Sequence, residues 1–494
     1  MRMYRSSGTG VCRSTTGKSS GACLPPTGRM TLEEVFGAIQ PLRAEGEIPA
    51  RTPIGTVTTD SREVPPGGLF IALPGERSDG ADFVEAAFRN GALAAIVSEE
   101  GAAKIPSTVI SEKAVFVVRN PVEALGDLAH AHRERHRGIP LVGITGSSGK
   151  TSTKEMLAGL LSPGRNVLKN IGNRNNLIGM PLTLLELSCR HDAAVLEMGS
   201  NQPGEIARLA QIAAPDVGII TNIAPAHLQG LGNLEGVARE KGDLFRALPE
   251  SGTAVVNATD LRVLREGGRC KARKIFYGVA LNEFSGRILS MDDHGMQIAI
   301  RTPSGEFTSS LPVTGEHHLM NALAATAAAY VLGLRPADLA EGFSSHESVR
   351  GRFHPVPLRG GGLLLDDSYN ANPASTEAAI RNLKILRGNR RAVAVLGDML
   401  ELGEVSASSH FRIGHLAAGS GLDLLFTFGE LSAQTARGAL EGGMDPETVA
   451  HTGDRERLKT MVGNALREGD IVLVKGSRGM RLEEIADEIE RIWA

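Results

Sequence analysis

The apolar run Leu141 to Ile144 leads directly into Thr145-Gly146-Ser147-Ser148-Gly149-Lys150-Thr151, and a helix-forming stretch begins at Lys150. Strand, glycine turn and helix in that order constrain the fold and carry a chemistry of their own. Glycines let backbone amides close around phosphate oxygens, the helix N-terminus adds its positive end, Lys150 supplies a point charge and the Thr151 hydroxyl suits Mg²⁺. The long form of this phosphate loop needs Gly at position 144, where the chain has Ile, so the match is to a shortened variant. A glycine-rich turn without a ligand is the plainer alternative. Gly17-Lys18-Ser19 has no strand before it and is read as coincidence.

The loop opens a βα series: PLVGIT, a helix from Lys150, AAVLEMG, a helix from Gln202, VGIITNI, a helix from Leu234, and TAVVNA. Continuous apolar strands separated by helices indicate a parallel sheet covered on both faces. Between Phe284 and Val313 polar and apolar residues alternate, with turn signals at Asp292 to Gly295 and Pro303 to Gly305, as in a small antiparallel meander. A further series follows Arg352: LLLDDSY, RAVAVLGD, LLFTFG and IVLVKGS with helices between them. It is Rossmann-like, but no G-x-G-x-x-G follows its first strand, so a dinucleotide is not indicated. Upstream, LFIAL, AAIVS and AVFVV alternate with a helical stretch near Phe83 to Asn90, forming a small α/β unit, and Pro121 to Arg137 reads as a linker helix.

The expected organisation is an α/β protein in three domains, 30–118, 119–337 and 338–494, behind an extension over 1–29. A chain of 494 residues is too long for one core. The extension holds Arg2, Arg5, Arg13, Lys18 and Arg29 and no acid; Met30 is an alternative start. Without those five cations, 48 basic residues face 56 acidic ones, a balance of −8 that argues against a nucleic-acid partner. The apolar run Leu319 to Leu334 is too short and too polar to span a membrane, and Cys189 and Cys270 form no disulfide framework, so a cytoplasmic protein is expected.

Glu197 closes AAVLEMG and His227 closes TNIAPAH, so both fall at C-terminal strand ends, where open α/β sheets bind ligands. They are read as metal ligands; an exposed strand-end acid and a surface histidine are the bland alternatives. The amide-dense segment 170–181 contains Asn173 and Asn176, suited to a polar, sugar-containing substrate or to an ordinary turn. Two acids end the strand at Asp366 and Asp367, which suggests function unaided.

Together, T-G-S-S-G-K-T, N-x-G-N-x-N-N-x-I-G-x-P, L-E-M-G, T-N-I-A-P-A-H-L, D-D-S-Y-N-A-N-P, V-L-G-D-M-x-E-L-G-E and V-K-G-S-R-G resemble the Mur ligases of peptidoglycan synthesis, over essentially the whole body from Met30. D-D-S-Y-N-A-N-P and K-G-S-R resemble the branch that adds D-alanyl-D-alanine rather than its sister that adds the third amino acid. The resemblance implies an ADP-forming ligase that uses ATP and Mg²⁺ to join D-Ala-D-Ala to UDP-N-acetylmuramoyl-tripeptide through an acyl phosphate. It implies a monomer with a UDP-binding N-terminal domain and a C-terminal domain that closes over the nucleotide.

The same resemblance assigns residues. Gly146, Ser147, Ser148, Gly149, Lys150 and Thr151 would hold ATP with His317, Asn321, Arg352 and Asp367; His318 stands where the family usually has Asn. Thr151, Glu197, His227 and a carbamylated Lys241 would hold metal, although spacing alone reads Lys241 as a solvated helix lysine. Lys150, Lys241, His227 and Glu197 are the catalytic candidates. Ser61 and Arg62, in Thr59-Asp60-Ser61-Arg62, would meet the UDP part; Asp79-Gly80-Ala81 departs from the family's D-G-H. Lys475 and Ser477 would serve the dipeptide. The sister ligase that adds the third amino acid to the UDP-linked dipeptide, a relative of the folylpolyglutamate type, and a nucleotide switch without bond formation are the competing readings, and no N-K-x-D guanine motif supports the switch.

Overall fold

The computed structural model describes residues 29–46, 50–75, 78–279 and 283–494. The extension up to residue 28, with Gly17-Lys18-Ser19, and Glu76 and Arg77 of the N-terminal motif lie outside the described residues. The chain divides into two compact units, one built from residues up to Ile139 with Leu184–Asp192, the other from Pro140–Thr183 with Ala193–Ala494.

The first unit holds a five-stranded sheet in the order Arg43–Glu45, Ala114–Val118, Ala94–Ser98, Leu69–Ile71, Val57–Thr58, parallel except for its first strand. The three central strands are the apolar runs picked out by sequence. The two edge strands were not, because three and two residues show no periodicity. The helix Pro121–Arg135, read as a linker, falls in this unit and buries Leu125, Leu128 and Ala129 completely. Its Arg133 is also fully buried, donating to the carbonyls of His136 (2.8 Å) and Ile139 (2.9 Å).

The second unit contains two sheets. The larger has nine strands in the order Gly305–Leu311, Gly295–Thr302, Phe284–Asp292, Arg273–Gly278, Thr253–Asn257, Val217–Ile220, Leu141–Thr145, Ala193–Glu197, Val167–Lys169. Pairing is parallel from Val167–Lys169 as far as Phe284–Asp292 and antiparallel through the meander, with turns where the sequence signals them. On one face the Ala-rich helix Glu316–Val331 packs against the helix Lys150–Leu161. Ala322, Ala324, Ala325, Ala327, Ala328 and Ala329 are all fully buried, and such small side chains let a helix approach its neighbours closely.

The second sheet runs His354–Leu358, Gly362–Asp367, Ile471–Lys475, Ala392–Gly397, Leu424–Phe428, Val449–Thr452, parallel except for the antiparallel first strand. Separate apolar clusters cover its two faces, one centred on Leu365, Ile380 and Leu473, the other on Val395, Val474 and Ile485. The second linker expected from Gly342 begins later, because the helix Pro336–Ser344 carries Gly342 and Phe343 into the core. Among the described residues no helix is long and apolar enough to cross a membrane.

Candidate active site

The strand Leu141–Thr145 lies between the parallel strands Ala193–Glu197 and Val217–Ile220, so the loop that leaves it opens between their C-terminal ends, where open α/β sheets bind ligands. Its two glycines are required. Gly146 has φ 148° and Gly149 φ 79°; a Cβ on Gly146 would stand 1.9 Å from Thr221 Oγ1, and one on Gly149 2.4 Å from Asn321 Oδ1. The Ala-rich helix brings Asn321 against the loop, and the absent side chain of Gly149 makes room for it.

The adjacent strand end fastens the loop. Thr221 Oγ1 donates to the Ser148 carbonyl at 2.6 Å, and the Ser148 N–H donates to Asn222 Oδ1 at 3.1 Å. Ser147 Oγ donates to the Ala224 carbonyl (2.8 Å) and accepts its N–H (2.9 Å). Lys150 Nζ folds onto the Gly146 carbonyl at 2.8 Å, and burial, followed by the Arg352 charge, lowers its pKa against the opposing pull of Glu197.

On the other flank Glu197, only 2% exposed, accepts from the Thr151 hydroxyl at 2.8 Å and from Asn175 Nδ2 at 2.7 Å. Asn170 braces its backbone through both amide atoms, each bond 2.9 Å long. His227 caps a short helix in left-handed conformation, φ 52°, and its Nδ1 is bonded to Glu401. Lys241 is buried, not solvated, with Nζ donating to Ser200 Oγ at 2.6 Å. Burial first, and then the Lys150 charge, bring its pKa down to about 7. The adjacent Glu240 is committed elsewhere, accepting the Gly204 and Ile206 N–H groups at 2.7 Å each.

The second sheet supplies the facing wall. Arg352 Nη2 donates to Thr151 Oγ1 at 3.2 Å, and its guanidinium lies 3.9 Å from the Tyr369 ring centroid, with Arg478 5.1 Å from the same ring. Asp367 and Lys475 are paired in register on adjacent strands, and Lys475 Nζ donates to Asp367 Oδ2 at 2.6 Å and to the Asn370 carbonyl at 3.0 Å. Burial outweighs that cation and raises the Asp367 pKa. His317 Nδ1 accepts from Asn382 Nδ2 at 3.0 Å, and burial lowers its pKa to about 4. The neighbouring His318 is 3% exposed, and neither of its ring nitrogens has a hydrogen-bond partner.

These groups surround one cleft of about 830 Å³, within the size range of ligand sites. Lys150, Thr151, Glu197, His227, His317, Asn321, Arg352, Asp367 and Lys475 all line it, as do Asn173 and Asn176. The side-chain Oδ1 of Asn176 is occupied by the N–H groups of Ile178 and Gly179. Ser477 lies behind the lining: its hydroxyl donates to the Ala371 carbonyl (3.3 Å) and accepts the Leu400 N–H (2.9 Å). Ser61 and Arg62 are in the first unit, where Arg62 pairs with Asp60 at 2.6 Å and lowers the carboxyl pKa to about 2.

Sequence reasoning passed over Asn170 and Asn175, Tyr369, Arg478 and Glu401. The amide-rich segment flagged the first two only as a class. Tyr369, Arg478 and Glu401 stand inside quoted motifs, but nothing local marks a side chain whose partner is distant in the chain. Among the described residues no three His, Cys, Asp or Glu side chains converge as a ready metal cage. The donors present, a Thr hydroxyl on a carboxylate and a nearby histidine, fit Mg²⁺, which binds through few protein ligands and relies on phosphate oxygens and water.

Fold and cleft define a phosphate-loop α/β protein whose loop faces a cleft between two sheets. The chain matches the models of the Mur ligase family catalytic domain over residues 53–133, the Mur ligase middle domain over 144–329 and the Mur ligase glutamate ligase domain over 351–478. It is 37% identical over 446 residues to the UDP-N-acetylmuramoyl-tripeptide–D-alanyl-D-alanine ligase of Escherichia coli (strain K12), covering 88% of this chain and 94% of that protein. It superposes on MurF from Acinetobacter baumannii with a TM-score of 0.82 at 32% identity, over 93% of this chain and 98% of that one. For MurF ligase from Thermotoga maritima in complex with ADP the values are 0.77 and 30%, over 88% and 97%. The chain belongs to the Mur ligase family.

Proposed function

We propose that the protein is an ATP-dependent, ADP-forming ligase that joins D-Ala-D-Ala to UDP-N-acetylmuramoyl-tripeptide, giving the pentapeptide precursor of peptidoglycan. The observation that carries the reading is the bond from Arg352 to Thr151, which sets a cation of the second sheet on the phosphate loop of the first. Transfer between two anions needs charge neutralisation and alignment more than covalent help, and such a cleft supplies both.

In the proposed reaction a carboxylate oxygen of the tripeptide attacks the γ-phosphorus and ADP leaves. The dipeptide amine then adds to the acyl phosphate carbon, phosphate departs, and the amine gives up a proton as the amide forms. Lys150 and the loop amides take the phosphates, Arg352 spreads positive charge over the transferring group, and Asn321 with His317 and His318 provides polar atoms for the base. Ser61 and Arg62 are assigned to the UDP part, Asn173 and Asn176 to the sugar-peptide, and Lys475 with Ser477 to the dipeptide end.

Thr151, Glu197, His227 and carbamylated Lys241 would hold Mg²⁺, which when bound neutralises the β- and γ-phosphate oxygens. Carbamylation requires an unprotonated amine: Nζ attacks the carbon of CO₂, loses a proton and becomes an anion. A pKa near 7 leaves Lys241 largely neutral in mildly alkaline solution, and the resulting carboxylate would attract the Lys150 cation that the ammonium repels. The protein is proposed to act as a cytoplasmic monomer.

The test is incubation with ATP, Mg²⁺, UDP-tripeptide and D-Ala-D-Ala, with mass-spectrometric detection of the UDP-linked pentapeptide. Phosphate release with a diamino acid and UDP-dipeptide, or with glutamate and a folate, in place of that pair would move the assignment to another branch. ATP hydrolysis indifferent to every amine would reject ligation.

A further inference from the structure

Glu401 belongs to V-L-G-D-M-L-E-L-G-E, a motif for which the proposed chemistry has no use. It lies in the loop after the strand Ala392–Gly397 of the second sheet, yet it is tied to the loop after Val217–Ile220 of the first. Two bonds make the tie. The Glu401 carboxylate meets His227 Nδ1, and the Gln229 N–H donates to the Glu401 carbonyl at 3.2 Å. Both partners have left-handed backbones, φ 52° for His227 and 62° for Glu401. Residues other than glycine adopt that region seldom and keep it only where their surroundings hold them there.

The bond has a chemical consequence for the ring. An ionised carboxylate only accepts, so in the neutral imidazole the proton must sit on Nδ1, leaving the electron pair on Nε2. With the proton on Nε2 instead, that nitrogen has nothing to offer a cation. Carboxylates that take the far N–H of a metal-binding histidine fix both its tautomer and its direction. Because His227 lines the nucleotide cleft while Glu401 approaches from the other sheet, the donor is correctly set only when the two sheets' loops meet.

We infer that Glu401 is a positioning residue for His227, carried on the second sheet, and that it prepares the Nε2 donor of the first sheet for a divalent cation. The inference rests on His227 being a metal ligand. It makes cation binding depend on docking of the loop around Glu401.

Nitrogen-15 NMR of the full-length, metal-free protein reads the tautomer directly, with the His227 signals assigned by their loss in His227→Gln. Wild type is expected to carry its proton on Nδ1, and Glu401→Ala to shift toward the Nε2-protonated form. Mn²⁺ affinity of the ADP-bound protein, read by electron paramagnetic resonance, is expected to fall about tenfold or more in Glu401→Ala. Glu401→Gln, whose amide oxygen still accepts, should keep the tautomer and most of the affinity. A wild-type ring protonated on Nε2 would overturn the inference. So would a Glu401→Ala protein that melts like wild type and keeps either its tautomer or its Mn²⁺ affinity. None of these readouts requires ligase turnover, so loss of the proposed activity and loss of this inference are separable.

Discussion

Arg352 touches two partners at once: its guanidinium donates to the Thr151 hydroxyl at 3.2 Å while lying 3.9 Å from the centre of the Tyr369 ring. The stacking holds the planar group and the hydrogen bond aims it at the phosphate loop. Lysine can do neither in the same way, since its ammonium is a point charge without a planar face. Arg352→Lys is therefore expected to lower kcat by about 10- to 100-fold while melting within a few degrees of wild type. An unchanged kcat would remove Arg352 from the reaction.

Lys150 is the loop's only side-chain cation. Lys150→Ala is expected to reduce pentapeptide formation by roughly a thousandfold, with secondary structure retained by circular dichroism. Full product yield by mass spectrometry would end the phosphate-loop mechanism.

Gly149 combines a φ of 79° with a space already taken by Asn321 Oδ1, 2.4 Å from where a Cβ would lie. Gly149→Ala should cost about 1–3 kcal/mol and weaken ADP binding in calorimetry. Adding Asn321→Ala relieves the clash but not the backbone strain, so recovery of stability should be partial. Complete recovery would show that backbone conformation was never the constraint.

The depressed Lys241 pKa fixes the sign of a pH effect. With the native value near 7 and the unfolded value at 10.5, the unfolded chain binds more protons between those limits, so this group's contribution to stability rises with pH across that window. Below pH 7 the amine is protonated and closed to CO₂. Enzyme stripped of CO₂ at pH 6 should be inactive, and bicarbonate at pH 8 should restore it together with a carbamate carbon signal from ¹³C-bicarbonate. Equal activity in the two buffers, with no such signal, would leave Lys241 an ordinary buried amine.

Acid should loosen the second unit through its buried histidines. His317 has a native pKa near 4 against 6.5 unfolded, so its contribution is intact above pH 6.5 and lost as pH falls toward 4. That difference corresponds to up to about 3 kcal/mol. His318 is displaced in the same direction by its burial. Urea midpoints should decline across that window in wild type and less steeply in His317→Gln; parallel curves would count against the assignment.

Much of the fold is readable from the chain because its carriers are local. Buried parallel strands are unbroken apolar runs such as Leu141 to Ile144, and the phosphate loop is a string of glycines and one lysine beside a helix start. The edge strands His354–Leu358 and Val449–Thr452 escape such reading, since neither has a fully buried face and the pattern is diluted. Lys241 escapes for a different reason: nothing adjacent shows that Ser200 and the loop cation stand over it.

From the residues alone came most of the buried strands and their helices in chain order, the phosphate loop and the strand ends where a ligand is expected. These depend on backbone propensity and on apolar periodicity over a few neighbours. Only the assembled chain decided that Glu197 is held by Thr151 and Asn175, that Lys241 is desolvated and that Glu401 meets His227. Each of these depends on the dielectric and the partners around a side chain, and the partners come from residues 22 to 174 positions away in sequence.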